Sequence, residues 1–410
     1  MRQMAILGGG AAGLCCACET AFLAAQKNRP LQISVFEALP RVGKKLLATG
    51  NGRCNLTNLH ASPADYNENA RAFVVPALMR FGPQSTLDFF ARLGLFTHTD
   101  AAGRVYPLSN QAAGVLDALR LEAARLGVKL RTDTSIETIQ TKSGAFILNK
   151  TERFDLLVLA CGGKAAVKTY NAESLLRQLG VPMTKTAPSL VKLTTPSPLP
   201  KQLAGIRAAA NLRLLLNGRP AAQETGELQF ADGVLSGICA MNLSPVLNRF
   251  LSGGGTEAAV EIDFVPSMTA EQLKETLGGL CRTGQRETCE HLLSGLLPKQ
   301  VGLALLKAAG LSPSASTASL TGSQLSALCC ACKSLTLPVN GTRGYADAQV
   351  MLGGASLDAF RPETLEAKSL PGLFCIGELL DVDGLCGGFN LQWAFASARL
   401  CASAVAEGAL

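Results

Sequence analysis

The sequence predicts an α/β fold: an open parallel sheet assembled from both ends of the chain, with a β-rich insertion and a small helical unit between them. Three observations carry this expectation. Residues 4–7 form a short apolar run that leads into Gly8-Gly9-Gly10-Ala11-Ala12-Gly13 and an Ala/Cys/Leu-rich stretch. A second apolar run, 155–161, ends in Gly162-Gly163. A third, 373–376, passes through Gly377-Glu378 and a glycine-rich loop into a final helical stretch. Short continuous apolar runs ending in small residues read as parallel strands buried on both faces.

Composition bounds the rest. At 410 residues the chain exceeds a single simple core, so two or three domains are expected. Hydrophobic residues make up 48% and charged residues 17%, which excludes disorder as the main state. Forty-one glycines without a three-residue period exclude a collagen-like chain and promise tight turns. The balance of 38 Lys+Arg against 31 Asp+Glu is mild, and no run of five basic residues offers a tail for tracking phosphates. Fourteen cysteines in so long a chain read as buried thiols of a reducing compartment. Cys15–Cys18 and Cys329–Cys332 are C-x-x-C spacings without a second pair or histidine ligands nearby, so no metal is expected. The apolar stretch 4–25 is broken by glycines and Glu19, which argues for a cytoplasmic protein with no targeting segment and no membrane partner.

In chain order, the first strand is followed by a turn that satisfies G-x-G-x-x-G and by a helix to about residue 26. Gly8 permits the turn, Gly10 lets a diphosphate approach the backbone, and Gly13 lets the helix pack on the sheet. The free N–H groups and dipole of the helix start attract the diphosphate. A second strand, 32–36, ends in Glu37, placed 24 residues after Gly13 to accept ribose hydroxyls. Together these mark a Rossmann-like dinucleotide site. A Gly/Asn-rich loop with three cations, 43–58, follows and suits a ligand longer than NAD. An amphipathic helix is expected at 113–126, with strands at 128–132 and 145–148. Pro188, Pro196, Pro198 and Pro200 mark an extended crossover over 184–202. Beyond it, strands are expected at 211–216, 258–264 and 335–339, and helices at 270–281, 301–309 and 325–332. Gly253-Gly254-Gly255 reads as a hairpin turn. The expected division is 1–185 for the first part of the cofactor domain, 186–340 for a β-rich, barrel-like insertion with a helical subdomain near 267–315, and 341–410 for the second part.

The last segment resembles the closing element of two-dinucleotide-fold flavoproteins. There a strand-end acid holds the ribityl chain, and the following helix points its N-terminus at the flavin pyrimidine. That resemblance gives Glu378 the ribityl and puts Gly387, Gly388, Phe389, Asn390 and Leu391 at the pyrimidine edge. A closer resemblance covers nearly the whole chain. GGGAAG at 8–13, GKKLLATGNGRCNLTN at 43–58, GRVYP at 103–107, LACGG at 159–163, LPKQVGLALLKAAG at 297–310 and GELLDVDGLCGGFNLQWAFASA at 377–398 resemble the BaiN-like, YhiN-type family of FAD-dependent oxidoreductases. The family implies FAD as cofactor. The residues expected at the cofactor are Gly8, Gly10, Ala11, Ala12, Gly13, Glu37, Ala38, Lys45, Asn51, Arg53, Cys54, Asn55, Ile136, Ala160, Cys161, Gly162, Gly377 and Glu378, with the five residues 387–391. Cys161 stands where the family tends to have Thr, and 164–171 replaces a Pro-Thr-Gly-Ser-Thr-Gly-Asp-Gly-type segment.

Chemistry resting on a flavin needs position and electrostatics rather than a triad or a metal. Arg53 is a candidate cation for reduced flavin or a substrate oxygen, against a structural loop role. Tyr106 is a candidate proton donor, against packing. Cys54 and Cys386 flank the expected site, as packing residues or as a redox pair. No second G-x-G-x-x-G appears, so the reductant either binds transiently at the flavin face, as NAD(P)H would, or is not NAD(P)H at all. The expected function is transfer of hydride to a small organic substrate, for which the resemblance implies reduction of an activated C=C bond. An RNA-modifying flavoprotein and a non-enzymatic flavin-binding protein are the alternatives, with nucleic acid the less expected partner.

Overall fold

The computed structural model describes residues 1–29, 31–165, 167 and 170–408. Its organising sheet contains, among the described residues, five strands: β1 (Arg2–Leu7), β2 (Leu31–Phe36), β3 (Lys129–Arg131), β4 (Leu156–Leu159) and β5 (Leu373–Cys375). The spatial order is β5-β4-β1-β2-β3, and every pairing is parallel. Leu7 lies beside both Phe36 and Leu159, and Leu159 beside Cys375, so these strands end at one level. The apolar runs are continuous because both faces are covered: all four residues of β4 are buried.

Helix α1 (Ala11–Gln26) packs on the final helix α2 (Phe389–Gly408). Alanine and cysteine fill much of α1, and alanine and serine much of α2, which lets the backbones approach closely. Glu19, the charge inside the apolar N-terminal run, is buried there. Its carboxylate meets Arg399 Nε at 3.2 Å and also pairs with the Arg92 guanidinium. A buried carboxylate needs such partners, since unpaired it would cost several kcal/mol, on the order of 3–5.

The chain forms two compact units, Met1–Ala187 with Val350–Leu410, and Pro188–Gln349. The second is built on an antiparallel sheet of seven described strands around the hairpin Arg207–Leu216 and Arg219–Ala231. Ala208, Ala210, Leu212 and Leu214 alternate inward along the first of these. Helices Ala270–Thr283 and Gly322–Ser334 both start on a Thr/Gln capping box, at Thr269–Gln272 and Thr321–Gln324. One expectation is corrected. Gly253-Gly254-Gly255 does not turn a hairpin but ends the helix Ile238–Ser252, with Gly253 as its cap and Gly254 at φ +91°. Glycine there serves helix termination, after which the chain runs to strand Ala258–Asp263. No described helix is long and apolar enough to cross a membrane.

Candidate functional site

The level at which β1, β2, β4 and β5 end is the crevice where open α/β sheets receive ligands. The three glycines of the first turn answer different demands. A Cβ on Gly8, at φ +112°, would lie 2.3 Å from the Ala160 carbonyl oxygen, and one on Gly13 would lie 1.9 Å from the Gly8 oxygen. These two are required by packing among β1, α1 and β4. Gly10 has φ −85° and ψ −167°, and a Cβ there would meet nothing within 4 Å. The protein itself does not need glycine at that position. The open space faces the first turn of α1, at Ala11 and Ala12, where backbone N–H groups lack intrahelical acceptors. At the end of β2, Glu37 accepts the Gly9 N–H at 2.9 Å and the Leu39 N–H at 3.0 Å, while the adjoining Ala38 is exposed.

The C-terminal motif arrives beside this turn. A Cβ on Gly377 would lie 2.9 Å from the Ala12 Cβ, and the Gly377 backbone is fixed by Ser397 Oγ and by Trp393 Nε1, each at 3.0 Å. Glu378 accepts the Met351 N–H at 2.9 Å and pairs with Lys45 Nζ at 2.5 Å. Gly163 is pressed against it, since a Cβ there would lie 2.6 Å from Glu378 Oε1. Gly162, at φ +68°, and half-buried Cys161 complete the end of β4.

The long loop motif and the start of α2 are fastened together. Thr57 Oγ1 donates to Gln392 Oε1 at 2.6 Å, Gln392 Nε2 donates to the Phe81 carbonyl at 2.8 Å, and Asn58 Nδ2 donates to the Gly387 carbonyl at 3.2 Å. Gly388, at φ +101°, admits no side chain: a Cβ would lie 2.6 Å from the Thr57 carbonyl and 2.8 Å from Asn55 Oδ1. That Asn55 oxygen is buried without a hydrogen-bond partner. Asn390 turns its amide back onto Gly384, accepting its N–H and donating to its carbonyl, both at 2.9 Å. Phe389 is buried, and its carbonyl accepts the Tyr66 hydroxyl at 2.9 Å. Of 387–391, the side chains of Phe389 and Asn390 therefore serve the fold.

FAD fits these residues. An orphaned acceptor at Asn55 lies next to the start of α2, and an open helix start lies at Gly10. A buried polar atom without a partner is costly, so a ligand group that supplies one is favoured. Lys45 and Glu378 close the middle of the same edge.

Arg53 is exposed on the loop, with Nε donating to the Gly50 carbonyl at 3.3 Å. Its guanidinium carbon lies 4.8 Å from the Tyr106 ring centroid, and the other stacking partner of that ring is His98, at 5.8 Å and 25°. His98 Nε2 is held by Asn110 Oδ1 at 3.1 Å. Sequence reasoning named Arg53 and Tyr106 separately. The structure stacks them, because strand Arg104–Pro107 pairs with Thr57–Asn58. Cys54 is fully buried at φ +59°, and burial pushes its thiol up to about 12; Cys386 is half-buried. Asn51 is exposed at φ +55°. Ile136 is buried in the core, and its carbonyl accepts Asn171 Nδ2 at 2.8 Å. Among the described residues no group of three His, Cys, Asp or Glu is arranged to hold a metal. Sequence reasoning missed Met351, Thr57 and Gln392. Each acts through a contact too distant in sequence to be read from spacing.

A parallel sheet that brings an acid-bounded glycine turn from one end of the chain to a glycine-started helix from the other is the scaffold of FAD-dependent oxidoreductases with a Rossmann-like core. Residues 2–404 match the model of the HI0933-like protein Rossmann domain, and the chain belongs to that family. The 3-dehydro-bile acid delta(4,6)-reductase of Clostridium scindens is 36% identical, covering 99% of this chain and 100% of that protein. The ribosomal RNA dihydrouridine synthase of Haemophilus influenzae is 29% identical over 98% of each. Among solved structures, 3-ketosteroid delta1-dehydrogenase from Sterolibacterium denitrificans shares the fold, with a TM-score of 0.52 at 12% identity, covering 99% of this chain and 100% of that one.

Proposed function

We propose that this flavoprotein reduces a C=C bond conjugated to a carbonyl in a small, apolar organic substrate, with NAD(P)H as the reductant that reloads the cofactor. The observation that carries the reading is the end-to-end 36% identity to a bile acid delta(4,6)-reductase. Support comes from the chemistry common to that name and to dihydrouridine synthesis, since each saturates a double bond conjugated to a ring carbonyl. The 28–29% identity of the two ribosomal RNA dihydrouridine synthases puts the nucleic-acid reading second.

In this reading FAD is held by Glu37 at the adenosine ribose, by the start of α1 at the diphosphate, by Glu378 at the ribityl, and by Asn55 with the start of α2 at the flavin ring. Bound and reduced by NAD(P)H, it would supply hydride to the β-carbon of the substrate. Arg53 holds the carbonyl oxygen as negative charge builds on it. Tyr106 carries at Oη the proton that goes to the α-carbon, with its ring clamped between Arg53 and His98. The hydride and the proton together saturate the bond.

The test is anaerobic mixing of the purified protein with NADH or NADPH, followed by 3-oxo steroids bearing a conjugated double bond. Expected are bleaching of the flavin by one nucleotide and a product heavier by two hydrogens. Reduction of uridine in ribosomal RNA with no reduction of any enone would move the assignment to the second reading.

A further inference from the structure

Two large apolar side chains stand together in solvent beside the candidate site: Phe96 is 76% exposed and Leu108 62%. The Leu108 N–H donates to the Phe96 carbonyl at 2.8 Å, so the two residues are cross-strand neighbours. They prolong the hairpin of Thr97–Thr99 and Arg104–Pro107, in which Thr97 pairs with Pro107 and His98 with Tyr106. Side chains alternate along a strand, so Phe96 and Leu108 share the face of His98 and Tyr106, about 7 Å further along. This face is tied to the residues read as meeting the flavin. A Cβ on Gly50 would lie 3.7 Å from Tyr106 Cε1 and 3.1 Å from the Asn55 nitrogen, and Asn55 faces Gly388 at the start of α2. A single exposed apolar residue needs no explanation. An aromatic and aliphatic pair in register with the Arg53–Tyr106–His98 stack does, because the folded chain gains nothing from its exposure.

We propose that Phe96 and Leu108 determine specificity, forming a ledge that receives the hydrocarbon ring skeleton of the substrate while Arg53 and Tyr106 engage its enone end. The proposal rests on the enone reading above and narrows the substrate to an enone whose carbonyl ring carries further fused rings. The face matches such a molecule in polarity: a cation and a phenol at one step, hydrocarbon at the next. It matches RNA poorly, since 93–99 and 105–111 contain no Lys or Arg to meet the phosphates beside a uridine.

The test compares the flavin-loaded full chain with the double variant Phe96→Thr/Leu108→Thr, in which threonine suits the strand. Steady-state rates are measured on a four-ring 3-oxo steroid with a conjugated double bond and on cyclohexenone. The steroid KM should rise about tenfold or more, because apolar contact common to ground and transition states is lost. The rise should fall on KM rather than kcat, and the preference for steroid over cyclohexenone should drop by the same factor. Phe96→Lys, with Leu108 intact, is a second variant that should also raise the steroid KM, since a cation resists burial against hydrocarbon. A steroid KM equal to that of the unsubstituted chain in either variant, with FAD bound and melting unaltered, overturns the proposal. An unaltered KM in a variant that elutes smaller than the unsubstituted chain on gel filtration overturns it in favour of a second copy of this chain. An unsubstituted chain that reduces no enone overturns the enone reading and the ledge with it, so the two failures are told apart.

Discussion

Substituting Gly10 by alanine separates what the fold needs from what the cofactor needs. The residue already has φ −85° and ψ −167°, which alanine adopts without strain, and the added Cβ meets no protein atom within 4 Å. Alanine is a poorer helix cap than glycine, but it restricts the unfolded chain. The two effects oppose each other and leave flavin-free stability within about 0.5 kcal/mol of the unsubstituted protein. The cofactor meets a different surface. The methyl group stands where the diphosphate must approach the first turn of α1, and it displaces one or two charge-assisted hydrogen bonds worth about 1.5–3 kcal/mol each. FAD affinity should therefore fall at least tenfold, by about 1.4 kcal/mol or more. Flavin fluorescence titration and thermal melting of the same preparations give both numbers. Unchanged FAD affinity in a normally folded Gly10→Ala protein would refute placement of the diphosphate there.

Four further outcomes are expected. Glu378→Ala should lose FAD on gel filtration, and full flavin occupancy would count against the ribityl assignment; it also leaves Lys45 without its 2.5 Å partner and the Met351 N–H without its acceptor. Gly388→Ala, unlike Gly10→Ala, should destabilise the flavin-free protein by at least about 2 kcal/mol, because positive φ and overlap with the Thr57 backbone act together; a normal melting curve would contradict the tight seam. Arg53→Ala should keep its fold and FAD while kcat falls about 100-fold or more, as loss of an oxyanion-stabilising group does; equal kcat would return Arg53 to a structural role. Burial pushes the Cys18, Cys54 and Cys332 thiols from 9.0 to about 12. The unfolded chain loses these protons from pH 9 upward and the folded chain keeps them, so their contribution is complete below pH 9 and declines as pH rises towards 12. The unfolding free energy from urea titrations should fall above pH 9, by up to about 1.4 kcal/mol per pH unit for each thiol, and a flat profile to pH 10.5 would show these thiols to be solvated.

What was legible in the sequence was local. The strand, glycine turn, helix and acid of residues 2–37 follow from apolar runs and glycine spacing, and the structure forms them with bounds shifted by one or two residues. Strand Arg219–Ala231 was not legible, because Arg-Pro-Ala-Ala-Gln-Glu carries neither alternation nor β-branched residues. It forms because Arg207–Leu216 offers a partner along its length. The run Gly253-Gly254-Gly255 was misread for a related reason: a glycine cluster marks a chain reversal without saying whether a hairpin or a helix end supplies it. At the candidate site, Glu378 was legible as a strand-end acid. Its pairing with Lys45, 333 residues away, was not. Asn390 was expected at the flavin, yet its amide is engaged by Gly384, a contact that only the closed loop creates.

The central claim is that both ends of the chain converge on one FAD. The most direct measurement is the visible absorption of the full chain after incubation with FAD and gel filtration. One tightly retained flavin per chain is the expected result. A protein that elutes folded, colourless and free of FAD would contradict it.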